Sequence, residues 1–216
     1  MNRLTAFVVA VAAAVAVPSL AQEPARVAEK GDVTRKGKTV MQYKDDDIQV
    51  VVGYRYANTH FDGPWIFVET FLSSTGGKPI EIAREDIQLV TPKGVIPLAS
   101  QKRMAEGIPD LRRMLKEASI SRDPLDGYFP GRPRQESTAF FTVPGEGIVY
   151  DRVTVDHRTL AGGDLFFESP TGKFAPGRYE LQIRSKGVEA HVPFQLPADD
   201  KPLERMKDQN GKTIPW

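Results

Sequence analysis

An antiparallel β-sandwich carrying a short helical insertion is the fold class this sequence predicts, and three observations predict it. Residues 65–72 are apolar on both sides of an alternating pattern: Trp65, Phe67 and Phe71 one way, Ile66, Val68 and Leu72 the other, with only Glu69 and Thr70 breaking the run. Such a strand needs cover on both faces and belongs in the interior of a packed sheet. Short alternating segments separated by turn formers recur on either side of it. The rhythm is interrupted once, at 99–134, by helical spacing and a loop rich in proline and glycine.

Taken in order, residues 1–21 hold Arg3, an apolar run from Leu4 to Val17 and small residues at Ser19 and Ala21. These are the three parts of a secretory signal cleaved before Gln22. The run is shorter than the roughly 20 apolar residues of a spanning helix. No later stretch is apolar enough to cross a bilayer, so no integral membrane segment is expected after cleavage. Residues 22–38 are charged and aperiodic, which predicts a flexible lead-in to a single domain at 39–197. A short strand at 39–43 is followed by a polar turn through Asp45, Asp46 and Asp47. Ile48, Val50, Val52, Tyr54 and Tyr56 then alternate with Gln49, Gly53 and Arg55, a strand with one buried face. Residues 58–64 form a turn that leads into the central strand.

After Leu72, residues 73–78 predict a hairpin loop, with Ile80 and Ile82 opening the return strand. Ile87, Leu89 and Thr91 alternate next, Thr91-Pro92-Lys93-Gly94 suits a turn, and 95–98 is the strand leaving it. In the insertion, Leu111, Met114, Leu115 and Ala118 fall at helical spacing behind Pro109, predicting a helix over 110–118 and a weaker helical turn over 100–105. Strands resume at 138–143 and 148–155, with a short candidate at 164–168. The last hairpin is the cleanest: Tyr179, Leu181 and Ile183 face inward with Ala190, Val192, Phe194 and Leu196 across a turn at 185–187. Pro193 has no backbone donor and favours an edge for the final strand. A polar tail, 198–216, ends in Ile214-Pro215-Trp216 and is expected to be mobile.

The formal net charge of +1 becomes even once the signal is removed, leaving no long-range field for nucleic acid or anionic membrane. Cysteine is absent, so disulfides, thiolate metal sites and a cysteine nucleophile are excluded. Together with the signal, this points to a bacterial periplasm or exterior.

Two stretches carry a resemblance. One is 65–98: a central strand, a loop of small residues, Lys78-Pro79-Ile80 and a strand ending in Thr91-Pro92-Lys93-Gly94. The other is Pro176-Gly177-Arg178-Tyr179-Glu180-Leu181, continuing to Ile183 and followed by Val192-Pro193-Phe194. Together they resemble immunoglobulin-like β-sandwich domains of exported bacterial proteins. The resemblance implies a sandwich closed by a glycine-initiated strand and a terminal strand, with Tyr179 placed for a tyrosine corner. It implies a fold and no function.

Chemistry is sparse. Three consecutive aspartates at 45–47 alternate in direction and lack the spaced oxygen ligands calcium needs, so they read as a solvated turn. His60, His157 and His191 have no metal-ligand spacing, and no Gly-x-Ser-x-Gly elbow is present. The pairs Gly76-Gly77 and Gly162-Gly163 occur without a phosphate-binding lysine and helix start, and read as turns. No catalytic residue, metal ligand or cofactor is assigned. The insertion combines Arg112, Arg113, Arg132 and Arg134 with Tyr128 and Phe129, planar donors and aromatic area of the kind found in binding hot spots, with Lys116 and Arg122 nearby. The plainer reading has Leu111, Met114, Leu115 and Phe129 capping the sandwich. The expected function is that of a non-catalytic exported protein that binds or scaffolds a protein, peptide or carbohydrate partner through this insertion or a sheet edge. The alternatives are a periplasmic chaperone or assembly factor pairing through an open edge strand, and a metal-assisted enzyme built from the histidines with aspartates such as Asp62 and Asp156.

Overall fold

A computed structural model describes residues 31–129, 135–139, 142–145 and 150–199. The signal segment 1–21, the terminal Ile214-Pro215-Trp216, and the candidate residues Arg132 and Arg134 lie outside the described residues. Among those described, the chain runs through β1 (Asp32–Gly37), β2 (Val40–Lys44), β3 (Ile48–Gly53), α1 (Arg55–Thr59), β4 (Trp65–Ser74), β5 (Ile80–Ala83), β6 (Ile87–Thr91), β7 (Gly94–Pro97), α2 (Gln101–Glu106), α3 (Ile108–Ala118), β8 (Gln135–Ala139), β9 (Arg152–Val155), β10 (Thr159–Glu168), β11 (Gly177–Ser185) and β12 (Val188–Leu196). The protein is mainly β. One sheet has the order β1-β2-β3-β4-β10-β8, a second β12-β11-β6-β7, and β5 pairs with β9. Neighbouring strands are antiparallel except β10 and β8, which are parallel.

The two-sided pattern of 65–72 is satisfied by two different covers. Ile66, Val68 and Leu72 enter the core between the sheets, against Leu89, Leu181, Val192 and Phe194. Trp65 and Phe67 point the other way, join Phe166, and are roofed by Met104 of α2 and by Leu111, Met114 and Ala118 of α3. Further along the same outer face, Val40, Val51 and Leu160 are covered by Leu125 and Phe129, with Phe71 packed alongside. The insertion is therefore a third layer laid on the larger sheet. Its helices begin as their sequence dictates: the Ser100 hydroxyl accepts the Arg103 N–H at 3.2 Å, and Pro109 occupies the first turn of α3.

Several expectations need correction. The lead-in 22–38 contains a strand, β1, whose exposed edge position explains why Val33, packed against the core, is its one apolar side chain. Tyr54 and Tyr56 do not share a face. Tyr54 stacks on Phe194 in the inter-sheet core at 4.8 Å, whereas Tyr56 stacks on Phe67 on the outer side at 5.1 Å. A continued strand would aim both the same way, and the single helical turn of α1 sends them apart. Residues 73–78 do not close a hairpin, because β3 and β10 already occupy both edges of β4; the chain crosses over and β5 pairs with β9. The pair Gly162-Gly163 is not a turn but the middle of β10 opposite Phe71 and Thr70. A Cβ on Gly162 would lie 2.5 Å from the Phe71 ring, so glycine is what lets that ring lie across the strand. The first residues of the presumed mobile tail are held: Ala198 donates its N–H to the Asn58 side chain, and the Asp199 carbonyl accepts from Arg35 at 2.7 Å.

The β6–β7 turn, the helix at 110–118 and the β11–β12 hairpin lie where the sequence placed them, and β12, with Pro193, is an edge strand. The Tyr179 hydroxyl donates to the Ala175 carbonyl four residues upstream, tying the start of β11 to the preceding loop.

Candidate functional site

The residues singled out in the insertion are distributed over two patches. Arg112 and Arg113 stand on the water side of α3, and Arg113 pairs with Asp110 one turn earlier at 3.1 Å. Phe129 is buried against Val51 and Leu160, where it acts as packing, and the Tyr128 carbonyl accepts from the Gln49 side chain at 2.9 Å.

Sequence reasoning passed over Glu69, although its signal was visible as a carboxylate inside a run apolar on both sides. It sits on the outer face of β4, directly opposite Gly53 of β3 and Asp164 of β10. Only 6% of its surface is exposed, its carboxylate shows no hydrogen bond among the described residues, and its oxygens are not among the fully enclosed atoms, so what little exposure it has reaches them. The segment following α3 closes over it. Arg122 from this segment grips Asp164 through two parallel bonds of 2.9 and 2.8 Å. Asp123 takes two bonds from Arg55 and a longer one, 3.4 Å, from the Thr39 hydroxyl. Leu125 packs over Gly53, where a Cβ would lie 3.1 Å from it. Burial pushes the Glu69 carboxyl up to about 7; Arg122 and Arg55 pull it back, while Asp164 and Asp123 push it further.

Beside this cluster lies a cavity of about 380 Å³ bordered by Lys38, Arg55, Tyr56, His60, Glu117 and Ser121. Tyr56 forms its firm wall. Its ring lies between His60, at 4.3 Å, and Phe67, and its hydroxyl donates to Glu117 of α3 at 2.7 Å. The His60 ring is set by the Thr59 hydroxyl at 2.8 Å. Burial and the bond to Glu117 raise the Tyr56 hydroxyl above its ordinary range, so it stays a neutral donor. An aromatic wall with polar groups converging at the rim, in a volume of several hundred Å³, is the usual form of a small-ligand or side-chain pocket. Ile120, next to Ser121, is 90% exposed. A wider groove of about 850 Å³ opens along β5 and the β11–β12 turn, with Lys78, Arg152 and Lys186 among Asp47, Glu81 and Asp86. Its charges are mixed and no aromatic residue lines it.

The other singled-out polar groups have structural partners. Asp45 accepts the N–H groups of Asp47 and Ile48 at 2.8 and 2.7 Å, the bonding of a tight turn. His157 lies in the turn between β9 and β10. Among the described residues no three His, Asp or Glu side chains are gathered so as to hold a metal ion. No helix among them is long and apolar enough to cross a membrane.

His191 belongs to a polar ladder on the face of the smaller sheet that points away from the core. Its ring nitrogens meet Glu180 at 2.7 Å and Glu189 at 3.0 Å, while Gln182 links Glu180 to Gln88. Burial pulls the imidazole pKa down, but the bonds to the two carboxylates outweigh it and the net shift is upward. Burial likewise pushes both glutamates up, and the bonds from His191 bring them below their ordinary value. The histidine's contribution is complete below its unfolded value of 6.5 and fades as pH rises through the higher folded value. The glutamates' contribution is present above 4.5 and fades as pH falls through their depressed values. Replacing His191→Gln is therefore expected to cost about 1 to 2 kcal/mol between these limits and less on either side, measured by urea unfolding across pH.

No family model matches this chain, and no curated protein matches it in sequence. Among solved structures, it is similar to a Bacillus subtilis chain described as a "putative lipoprotein (ycdA)", with 16% identity, a TM-score of 0.39, and coverage of 77% of this chain and 40% of that one. This chain thus spans less than half of that chain's length.

Proposed function

We propose that this chain is a non-catalytic binding protein of the bacterial periplasm or exterior, exported by its first 21 residues, that recognises a partner through the layer its insertion builds on the larger sheet. The observation that carries this reading is the cavity walled by Tyr56 and His60, with the exposed Ile120 next in sequence to Ser121 of its lining. The segment carrying Ile120 is held by the ion pairs Arg122–Asp164 and Arg55–Asp123, so the surface is preorganised. A protein or peptide side chain fits a recess of this size.

Three of the sheet edges support the strand-pairing alternative less well. Strand β12 carries Pro193 midway, β7 has four residues, and β1 is polar with an irregularity between Arg35 and Gly37.

A photoreactive residue at position 120, in the intact protein mixed with an envelope or culture fraction, is expected to give a discrete cross-linked product. The control is the same residue at Val95, a second exposed aliphatic position, 56% exposed, on β7 of the other sheet. Filling the cavity with Ser121→Trp is expected to abolish the product. Equal labelling from both positions, or a product indifferent to Ser121→Trp, overturns the reading.

A further inference from the structure

Glu69 is used neither by the cavity nor by the inter-sheet core, yet it is a buried carboxylate beneath a segment held down by charge. The groups facing it are few. Asp164 is its neighbour on β10, Arg122 and Asp123 come from the segment above, Arg55 comes from α1, and the facing residue of β3 is Gly53, which offers nothing titratable. Arg122 already gives two bonds to Asp164, and Arg55 gives two to Asp123. Each guanidinium is thus matched to one carboxylate, and Glu69 is the third carboxylate among two cations.

We propose that 119–129 is a proton-controlled flap, closed over the larger sheet while Glu69 is neutral and lifted to admit water when Glu69 ionises. The physical reason is local neutrality. With Glu69 protonated, two carboxylates balance two guanidiniums beneath the segment. Once it loses its proton, an uncompensated charge stands against Asp164 where no donor among the described residues reaches it and only a sliver of its surface meets water, so the closed form is disfavoured. Lifting the segment hydrates it. The upward displacement of the Glu69 carboxyl by burial puts this change within the neutral range. What holds the closed form is also local: the grip of Arg122, the clip of Asp123 on Arg55 and Thr39, and the seating of Leu125 and Phe129 on Val51. None of it involves the core between the sheets, so the flap can open while the sandwich stays folded. The flap carries Ile120 and Ser121, so its closed form is the one that presents the binding surface, but exchange of its amides is read without any partner and fails separately from the cross-link.

Hydrogen exchange of the intact protein from pH 5.5 to 8.5, corrected for the intrinsic pH dependence of exchange, tests it. Amides of 119–129 are expected to lose protection about tenfold or more across the range beyond any loss in the β3–β4 ladder, which reports the global change in stability. Glu69→Gln is expected to keep the segment protected throughout. Asp164→Asn, which frees Arg122 to pair with Glu69, is expected to move the change to lower pH and keeps the proposal testable if the glutamine variant folds poorly. Protection that is constant with pH in the native chain overturns it, as does an equal loss in Glu69→Gln or an unmoved midpoint in Asp164→Asn.

Discussion

Replacing Glu69 by glutamine is expected to remove about 3 kcal/mol of pH dependence from the stability of this protein. The sign follows from the raised carboxyl. A glutamate that titrates at 4.5 when unfolded and at about 7 when folded favours the folded state most below 4.5. That advantage is lost as pH climbs to about 7 and is gone above it. A gap of that size corresponds to about 3 kcal/mol at 1.36 kcal/mol per pH unit. In urea unfolding the native chain should weaken between pH 4.5 and 7, whereas the glutamine variant should lose this component and exceed the native chain at pH 8. At pH 4.5 the two should be close, because both then carry a neutral group at this position. Parallel profiles would mean that Glu69 is ionised in the folded state at all these pH values.

The second large effect is expected from Leu111→Ala. Leu111 is fully buried where α3 meets Trp65, Phe67 and Phe166, and truncation leaves a void between two elements that cannot close on each other without moving the helix. Losses of about 3 kcal/mol are typical of such sites. Trp65, 6% exposed under this layer and in contact distance of Gly107, should shift its fluorescence to longer wavelength as its cover loosens. Ile120→Ala, two residues beyond the same helix but in water, should leave stability within about 0.5 kcal/mol. A loss below about 1 kcal/mol for Leu111→Ala would show that the helical layer is not part of one cooperative unit with the sheet.

The parts of the fold legible in the sequence are those where one residue's neighbours along the chain determine its environment. Trp65 to Leu72 demanded cover on both faces, and the cover exists on both. The helix behind Pro109 and the hairpin with Pro193 on its outer strand follow from local spacing. What was not legible depended on partners distant in sequence. Strand β10 was reduced to 164–168 because Gly162 and Gly163 look like turn formers until Phe71 is known to need the space above them. The strand after Lys78 seemed to turn back on β4 because nothing local reveals that β10 has taken that edge. Charge was misread for a similar reason. The arginines of the insertion form one basic run on paper, but Arg122 is turned under to Asp164 while Arg113 pairs with Asp110 in water. Glu69 was noted as a blemish in an apolar strand, and its importance rests on Asp164, which only the fold brings beside it.

The register of β4 against β10 also bears on how the molecule is made. Strand β4 leaves the ribosome early, with two greasy faces, while the strand that completes its ladder follows only after β5 to β9 and both helices have been synthesised. Until then β4 can pair with β3 on one edge, but its other edge stands open because its partner does not yet exist. Closure of such a distant pair is slow relative to local hairpins, and bare strands of this kind associate with one another. The open edge of 65–74 is therefore the stretch most exposed to mispairing before the chain is complete.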